Sequence, residues 1–271
     1  MALTSTNPPE SAPPPDTPPE SPPADRQRGV DRKWLVAGAV VLVVLLLVAV
    51  VLAAVASGDD DRTGPGRGNH VVTGPVGDRA EATLELLTGA TSVTVRAADL
   101  DGHLYEVRTP SDGRQVPLVS ASDDGVVRVE LGDSGTTGPS AVEIVLNPGT
   151  TWRVRLVAGS TRHTVDLSAA RVSGVEFIGG AGSIDLTLPR PSGTVEVRMV
   201  GGTGSWSTHL PAGVPVRVAA QAGAGAVTVD GATRNGVPAG TTVTGDGWDA
   251  AADRYDLVAT GGMASFTVDR R

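Results

Sequence analysis

Apolar and polar residues alternate in short runs along much of the chain: Val93-Thr-Val95, Val127-Arg-Val129-Glu-Leu131, Val142-Glu-Ile144, Trp152-Arg-Val154-Arg-Leu156, Ile184-Asp-Leu186-Thr-Leu188 and Val195-Glu-Val197. A period of two sends successive side chains to opposite faces, so each run predicts a strand with one dry and one wet face. These signals begin near Ala80, and no stretch after Ala56 keeps a convincing helical period. The chain beyond that point is expected to be all-β.

The runs also repeat. Val154 and Leu156 are followed by Gly159 and then by Val165 and Leu167. The same arrangement returns as Val175, Phe177, Gly180, Leu186 and Leu188, then as Val197, Met199, Gly202, Thr208 and Leu210, then as Val218, Ala220, Gly223, Val229 and Gly231. The steps are 21, 22 and 21 residues. Two outlying copies are Leu84, Leu86, Gly89, Val95 and Ala97, and Tyr255, Leu257, Phe266 and Val268 with Thr260 in the glycine position. A unit of this length supplies two strands and two bends and cannot bury its own apolar face, so successive units must stack. The pattern predicts a parallel β-solenoid with coils of about 21 residues over 80–271, its corner glycines supplying positive φ. Between Ala97 and Trp152, and between Asn235 and Asp253, the step breaks, which predicts lateral loops or irregular coils. An antiparallel sandwich is the alternative for alternating strands with Gly-rich turns, but it gives no reason for a constant step.

Upstream the pattern changes twice. Leu35 to Ala56 is a run of 22 residues of Leu, Val, Ala and one Gly. As a helix it would reach about 33 Å, the thickness of a hydrocarbon core. Lipid offers no partners to free backbone groups, so residues 34–56, opening on the interfacial Trp34, are expected to form one transmembrane helix. Arg26, Arg28, Arg32 and Lys33 precede it and Asp59, Asp60 and Asp61 follow it, which predicts a cytoplasmic N-terminus and an extracytoplasmic C-terminal part. Ala54-Val55-Ala56 has the small-x-small form of a signal-peptidase site, but the apolar run is longer than such a signal and follows a long tail, which favours an uncleaved anchor. Residues 1–33 contain NPPESAPPPDTPPESPP (Asn7 to Pro23), predicting a disordered tail of polyproline II character. Thr17-Pro18, Ser21-Pro22 and the PxxP spacing offer phosphate acceptors and a dock for a cytoplasmic partner, against the plainer reading of a solvated spacer. Residues 57–79 read as an extracytoplasmic linker.

Composition narrows the function classes. The chain is 271 residues with a formal net charge of -8, of which the first 33 residues carry five acids and four bases. An acidic ectodomain lacks the clustered cations that displace counterions from phosphate backbones, so nucleic acid is not an expected partner. With no Cys, disulfides, thiol nucleophiles and thiolate metal sites are excluded, and a domain of this size can hold itself together by buried apolar area.

Candidate chemistry is sparse. Gly132-Asp133-Ser134-Gly135 matches strings found around nucleophilic serines, but a Ser nucleophile needs a His base and an orienting group, and none is placed to serve. The string reads as a turn. His70, His103, His163 and His209 form no metal-binding pair and are expected at exposed turn or strand positions. Asp246, Asp249 and Asp253 lack the order of a calcium loop. Trp152 and Trp206 fall on the inward parity, whereas Trp248, in an irregular loop, is the best exposed ring for a sugar. No catalytic, metal-binding or cofactor-binding residue is assigned, and no cofactor is expected.

Repeats such as FIGGAGSIDLTLP (Phe177 to Pro189) and MVGGTGSWSTHLP (Met199 to Pro211), behind a single apolar helix, resemble the β-solenoid family of bacterial putative adhesins over approximately residues 84–268. The resemblance implies cell-surface adhesion and brings no catalytic residues; related domains also occur in membrane proteins that regulate envelope-stress signalling. The expected protein is a non-enzymatic, single-pass cell-membrane protein presenting its outer domain, with outward Glu176, Asp185, Glu196 and Arg198, for adhesion or contact with an envelope ligand. The alternative is a regulator that senses the envelope and signals through its tail.

Overall fold

Val, Thr and Ile fill the alternating runs, and Gly, Pro and Asp punctuate them, which favours short pleated segments separated by tight turns. The computed structural model describes residues 70–271, and every regular element among them is a strand. The expected tail, the transmembrane helix 34–56 and most of the linker lie outside the described residues. The first strand, β1 (Val71–Pro75), falls within the stretch expected to be linker.

After β1 come β2 (Glu81–Leu86), β3 (Ser92–Ala97), β4 (His103–Arg108), β5 (Gln115–Ala121), β6 (Val126–Asp133) and β7 (Ala141–Leu146). The middle of the chain forms β8 (Thr151–Leu156), β9 (Ser160–Asp166), β10 (Arg171–Phe177), β11 (Ala181–Thr187), β12 (Thr194–Met199) and β13 (Thr203–Leu210). The last part supplies β14 (Val216–Ala220), β15 (Ala224–Val229), β16 (Ala232–Val237), β17 (Thr241–Thr244), β18 (Arg254–Ala259) and β19 (Met263–Arg270).

Two mixed sheets result. One has the order β1-β4-β7-β3-β9-β11-β13-β19-β15-β16, the other β17-β14-β18-β12-β10-β8-β2-β6-β5. The chain passes from one sheet to the other and back, so β8 and β9, β10 and β11, and β12 and β13 form rungs whose strands pair in parallel with those of the next rung. Val154 lies beside Val175 and Val175 beside Val197, offsets of 21 and 22 residues. The inward row Leu84, Val154, Val175, Val197, Leu257 and Val218 is at most 2% exposed. It faces a second row, Val95, Val165, Leu186, Thr208, Val268 and Val229, across one core. Phe177 touches His163 and Trp206 of the opposite sheet, with ring centroids 5.6 Å and 6.3 Å apart.

Antiparallel pairing is confined to the ends of the two sheets. β4 and β1 close one sheet and β5 the other at one end; β16 and β17 do the same at the far end. β4 and β5 occupy the first place where the repeat step breaks and β17 the second, so these segments are caps rather than lateral loops; β1 precedes the repeat and β16 runs into the second break. The first interval also contains the rung β6–β7, which the broken step hid.

Stacking order departs from chain order at both ends. The rung β2–β3 is inserted between β6–β7 and β8–β9, and the last rung, β18–β19, between β12–β13 and β14–β15. The last copy of the repeat is also displaced by two residues from its expected alignment: Val197 pairs with Leu257 and Met199 with Ala259, and Gly262 rather than Thr260 stands at the corner, its oxygen accepting from Thr203 N. A slip of two keeps every side chain on its own face, so apolar parity cannot reveal it.

The corner glycines have a different reason from the one expected. Gly89, Gly159, Gly180 and Gly202 do not have positive φ; of the repeat's corner glycines only Gly223 does, at 84°. At Gly89 and Gly159, and at Gly179 and Gly201 beside the later corners, glycine avoids a collision, whereas a Cβ on Gly180 or Gly202 would come no closer than 3.2 Å to its neighbours. A Cβ on Gly89 would stand 2.4 Å from the Gly159 oxygen, and one on Gly201 2.5 Å from the Gly180 nitrogen. The corners of adjacent rungs touch backbone to backbone, which only glycine permits.

Candidate functional surface

With the interior filled, chemistry is left to the outer faces. Each rung carries one residue between the paired apolar positions of its first strand, and this residue points outward. Read in stacking order these are Arg128, Glu85, Arg155, Glu176, Arg198, Val258 and Ala219, opposite one another in register, and the first five are charged. The signs alternate. Arg128 Nε lies 3.3 Å from Glu85 Oε2 and Arg155 Nε 3.2 Å from Glu176 Oε2, while Arg155 Nη1 also donates to Glu85. Burial disfavours the Arg155 cation, but the hydrogen bonds and charges of Glu176 and Glu85 outweigh it and hold its proton more tightly than usual. Arg198 turns instead to Glu196, 2.8 Å away. The signal was present in the sequence at the middle position of each apolar pair, but only the register turns those positions into a row.

The other outer face carries hydroxyls. Thr94, Thr164, Asp185, Ser207, Thr267 and Thr228 lie side by side on consecutive strands. Near one edge of this face His209 sits between two carboxylates: its Nδ1 is 2.6 Å from Asp269 Oδ1 and its Nε2 3.3 Å from Asp185 Oδ1. Its side chain is only 8% exposed. His163 is buried in the core with no hydrogen bond to either ring nitrogen. The expectation that all four histidines sit at exposed positions therefore fails for these two, because His163 takes an inward position and His209 is covered by its neighbours.

Trp248 is also not the exposed ring expected. It is 7% exposed, its Nε1 donates to the Tyr255 oxygen at 2.9 Å, and the guanidiniums of Arg217 and Arg254 lie 3.9 Å and 4.0 Å from the ring centre. Two cations at that distance cannot share a face, so they sandwich the ring and leave it no platform for a sugar. The indole fastens the crossing segment from β17 to β18 onto the sheet.

The remaining candidates are structural. Ser134 Oγ donates to the Gly113 oxygen at 2.6 Å and contacts Thr136 Oγ1 at 3.0 Å; no imidazole is among its partners. Asp133 Oδ1 accepts from Gly135 N at 2.8 Å, closing the turn that the string predicted. Asp253 caps Gly193 N at 2.6 Å and is not gathered with Asp246 and Asp249; among the described residues no three metal-ligating side chains converge. A cleft of about 550 Å³ beside the C-terminal cap is lined by Asp230, Asp246, Asp269 and Arg270, but Arg270 already holds both oxygens of Asp230.

These features define an all-β, parallel-stranded protein whose distinctive surfaces are two flat, polar sheet faces. No family model and no curated protein matches the sequence. In fold it is similar to a putative cell adhesion protein from Clostridium sporogenes, with 12% identity, 74% of this chain and 98% of that chain covered, and a TM-score of 0.51. A putative adhesin from Bacteroides fragilis matches at 10% identity over 75% of this chain and 99% of its own, but its TM-score of 0.25 carries no structural argument. The likeness is one of fold.

Proposed function

We propose that this is a non-enzymatic, single-pass cell-membrane protein that presents a β-solenoid with coils of about 21 residues at the cell surface, for adhesion or contact with an envelope ligand. The anchor is residues 34–56, the tail 1–33 lies in the cytoplasm, and residues beyond the linker stand outside. One observation carries the reading: the long, in-register outer faces, with the row Arg128, Glu85, Arg155, Glu176 at its centre, offer an extended contact area, while the candidate nucleophile Ser134 has no imidazole among its partners. Likeness of fold to a cell adhesion protein supports it.

The absence of Cys makes placement testable. A membrane-impermeant maleimide on intact cells is expected to label Ser183→Cys and to spare Ser5→Cys until the cells are lysed; the reverse pattern sinks the orientation. Beads coated with residues 70–271 are expected to bind whole cells or isolated envelope, and the full-length protein lacking residues 1–33 is expected to keep that binding. A transcriptional response lost with residues 1–33, without any loss of binding, would favour the regulator instead.

A further inference from the structure

We propose that His163 is an acid trigger: a proton on its ring opens the middle of the stack at β9 while the capped ends are still closed. The ring lies inward on β9, is 1% exposed and has no hydrogen bond at Nδ1 or Nε2. Its neighbours along the row are Val93 of β3 and Ile184 of β11, and Phe177 of β10 lies across the core, 5.6 Å between ring centres. The inward residues of the surrounding strands are Ala82, Leu84 and Leu86 of β2, Val93, Val95 and Ala97 of β3, Trp152, Val154 and Leu156 of β8, Val172, Val175 and Phe177 of β10, and Ile184 and Leu186 of β11. None is titratable. The charged groups of these strands, Glu81, Glu85, Arg96, Arg153, Arg155, Arg162, Asp166, Arg171, Glu176 and Asp185, all lie on the outward parity, away from the ring.

A neutral imidazole fits this space, and an imidazolium does not, because burial penalises the charge and no acceptor offsets it. Burial pushes the ring down to about 4 from 6.5. The sign follows from linkage. The unfolded chain takes up a proton as pH falls through 6.5 and the folded chain only near 4, so stability present above 6.5 is lost across that window. At about pH 5 this one group lowers the folding constant by about 30-fold relative to neutral pH. Placement sets where the loss is felt: β9 is an interior strand, paired in parallel on both sides.

The test is chemical denaturation of residues 70–271 between about pH 7.5 and 5, for the wild type and for His163→Leu and His163→Phe. The wild type is expected to lose about 30-fold in folding constant and each variant to lose almost none of it. Equal losses in wild type and variants would overturn the proposal. Should neither variant fold, the ring C2 proton of the wild type decides: titration near the free value refutes the trigger, and silence down to about pH 5 supports it. Amide exchange at that pH is expected to rise first in β9 and its partners β3 and β11; a rise confined to β1, β5, β16 and β17 counts against it.

Discussion

Among single residues, neighbouring glycines carry different burdens. A Cβ on Gly261 would stand 2.3 Å from the Gly201 oxygen, whereas one on Gly262 would meet nothing within 4 Å. Gly261→Ala is therefore expected to cost about 2 kcal/mol or more, because backbone on a neighbouring rung must move, and Gly262→Ala to stay within about 0.5 kcal/mol of the wild type. Paired denaturation curves of the two variants check this. A similar contrast applies to Trp248, which composition presents as a loop aromatic and packing makes a fastener between two arginines. Trp248→Ala is expected to destabilise by about 3 kcal/mol, read as a lower melting temperature. The phenol of Tyr255, whose hydroxyl donates to Pro189 at 3.0 Å, is pushed up in pKa by burial and belongs to the same buried seam.

At the scale of elements, the charged row fixes how rungs meet. Inward rows are apolar at nearly every step, Thr208 and His163 excepted, and so tell one rung from another poorly, whereas the alternating signs from Arg128 to Glu176 make a misplaced rung put like charges side by side. Arg155 stands between Glu85 and Glu176 with a 30% exposed side chain. Arg155→Glu would line up three carboxylates, and it is expected to lower the melting temperature most at low ionic strength and to recover partly as salt is added. A melting temperature that ignores salt would show that the row is ornament. Edge strands show the opposite concern, avoiding contact. Pro117 removes a donor from β5, a register shift beside Pro75 bends β1, β17 has only four residues, and Gly236 turns β16 at a φ of 61°. These devices suppress edge-to-edge growth, and light scattering of residues 70–271 is expected to give a monomer.

At the scale of the molecule, interleaved ends hold the fold. Because β18–β19 fills the gap between two other rungs, its loss would open edges on both sides and expose the apolar faces of β12–β13 and β14–β15. A chain ending at Gly247 is expected to lose cooperative unfolding by circular dichroism and to bind a hydrophobic dye, whereas removing Arg271 alone should change neither. The crossing that leads to this rung is held by Trp248, and the crossing to β8 by Asn147, whose oxygen accepts from Trp152 Nε1 at 2.9 Å.

Strand positions, the parity of each face and a repeat of near-constant length are written in the sequence, because each depends on residues close in the chain and on a period of two. The sequence also carries the turn at Ser134, the outward placement of Glu176, Asp185, Glu196 and Arg198, and the alternating charges, once their shared position in the repeat is seen. His163 already shares the inward parity of Val165. Tertiary structure alone decided which rung lies beside which, the two-residue slip at Leu257, the burial of His209 and Trp248, and the work of the corner glycines. Each of these turns on a contact between residues far apart in the chain, and local alternation is blind to it: a strand moved by two residues, or exchanged with another rung, shows the same pattern of apolar and polar faces.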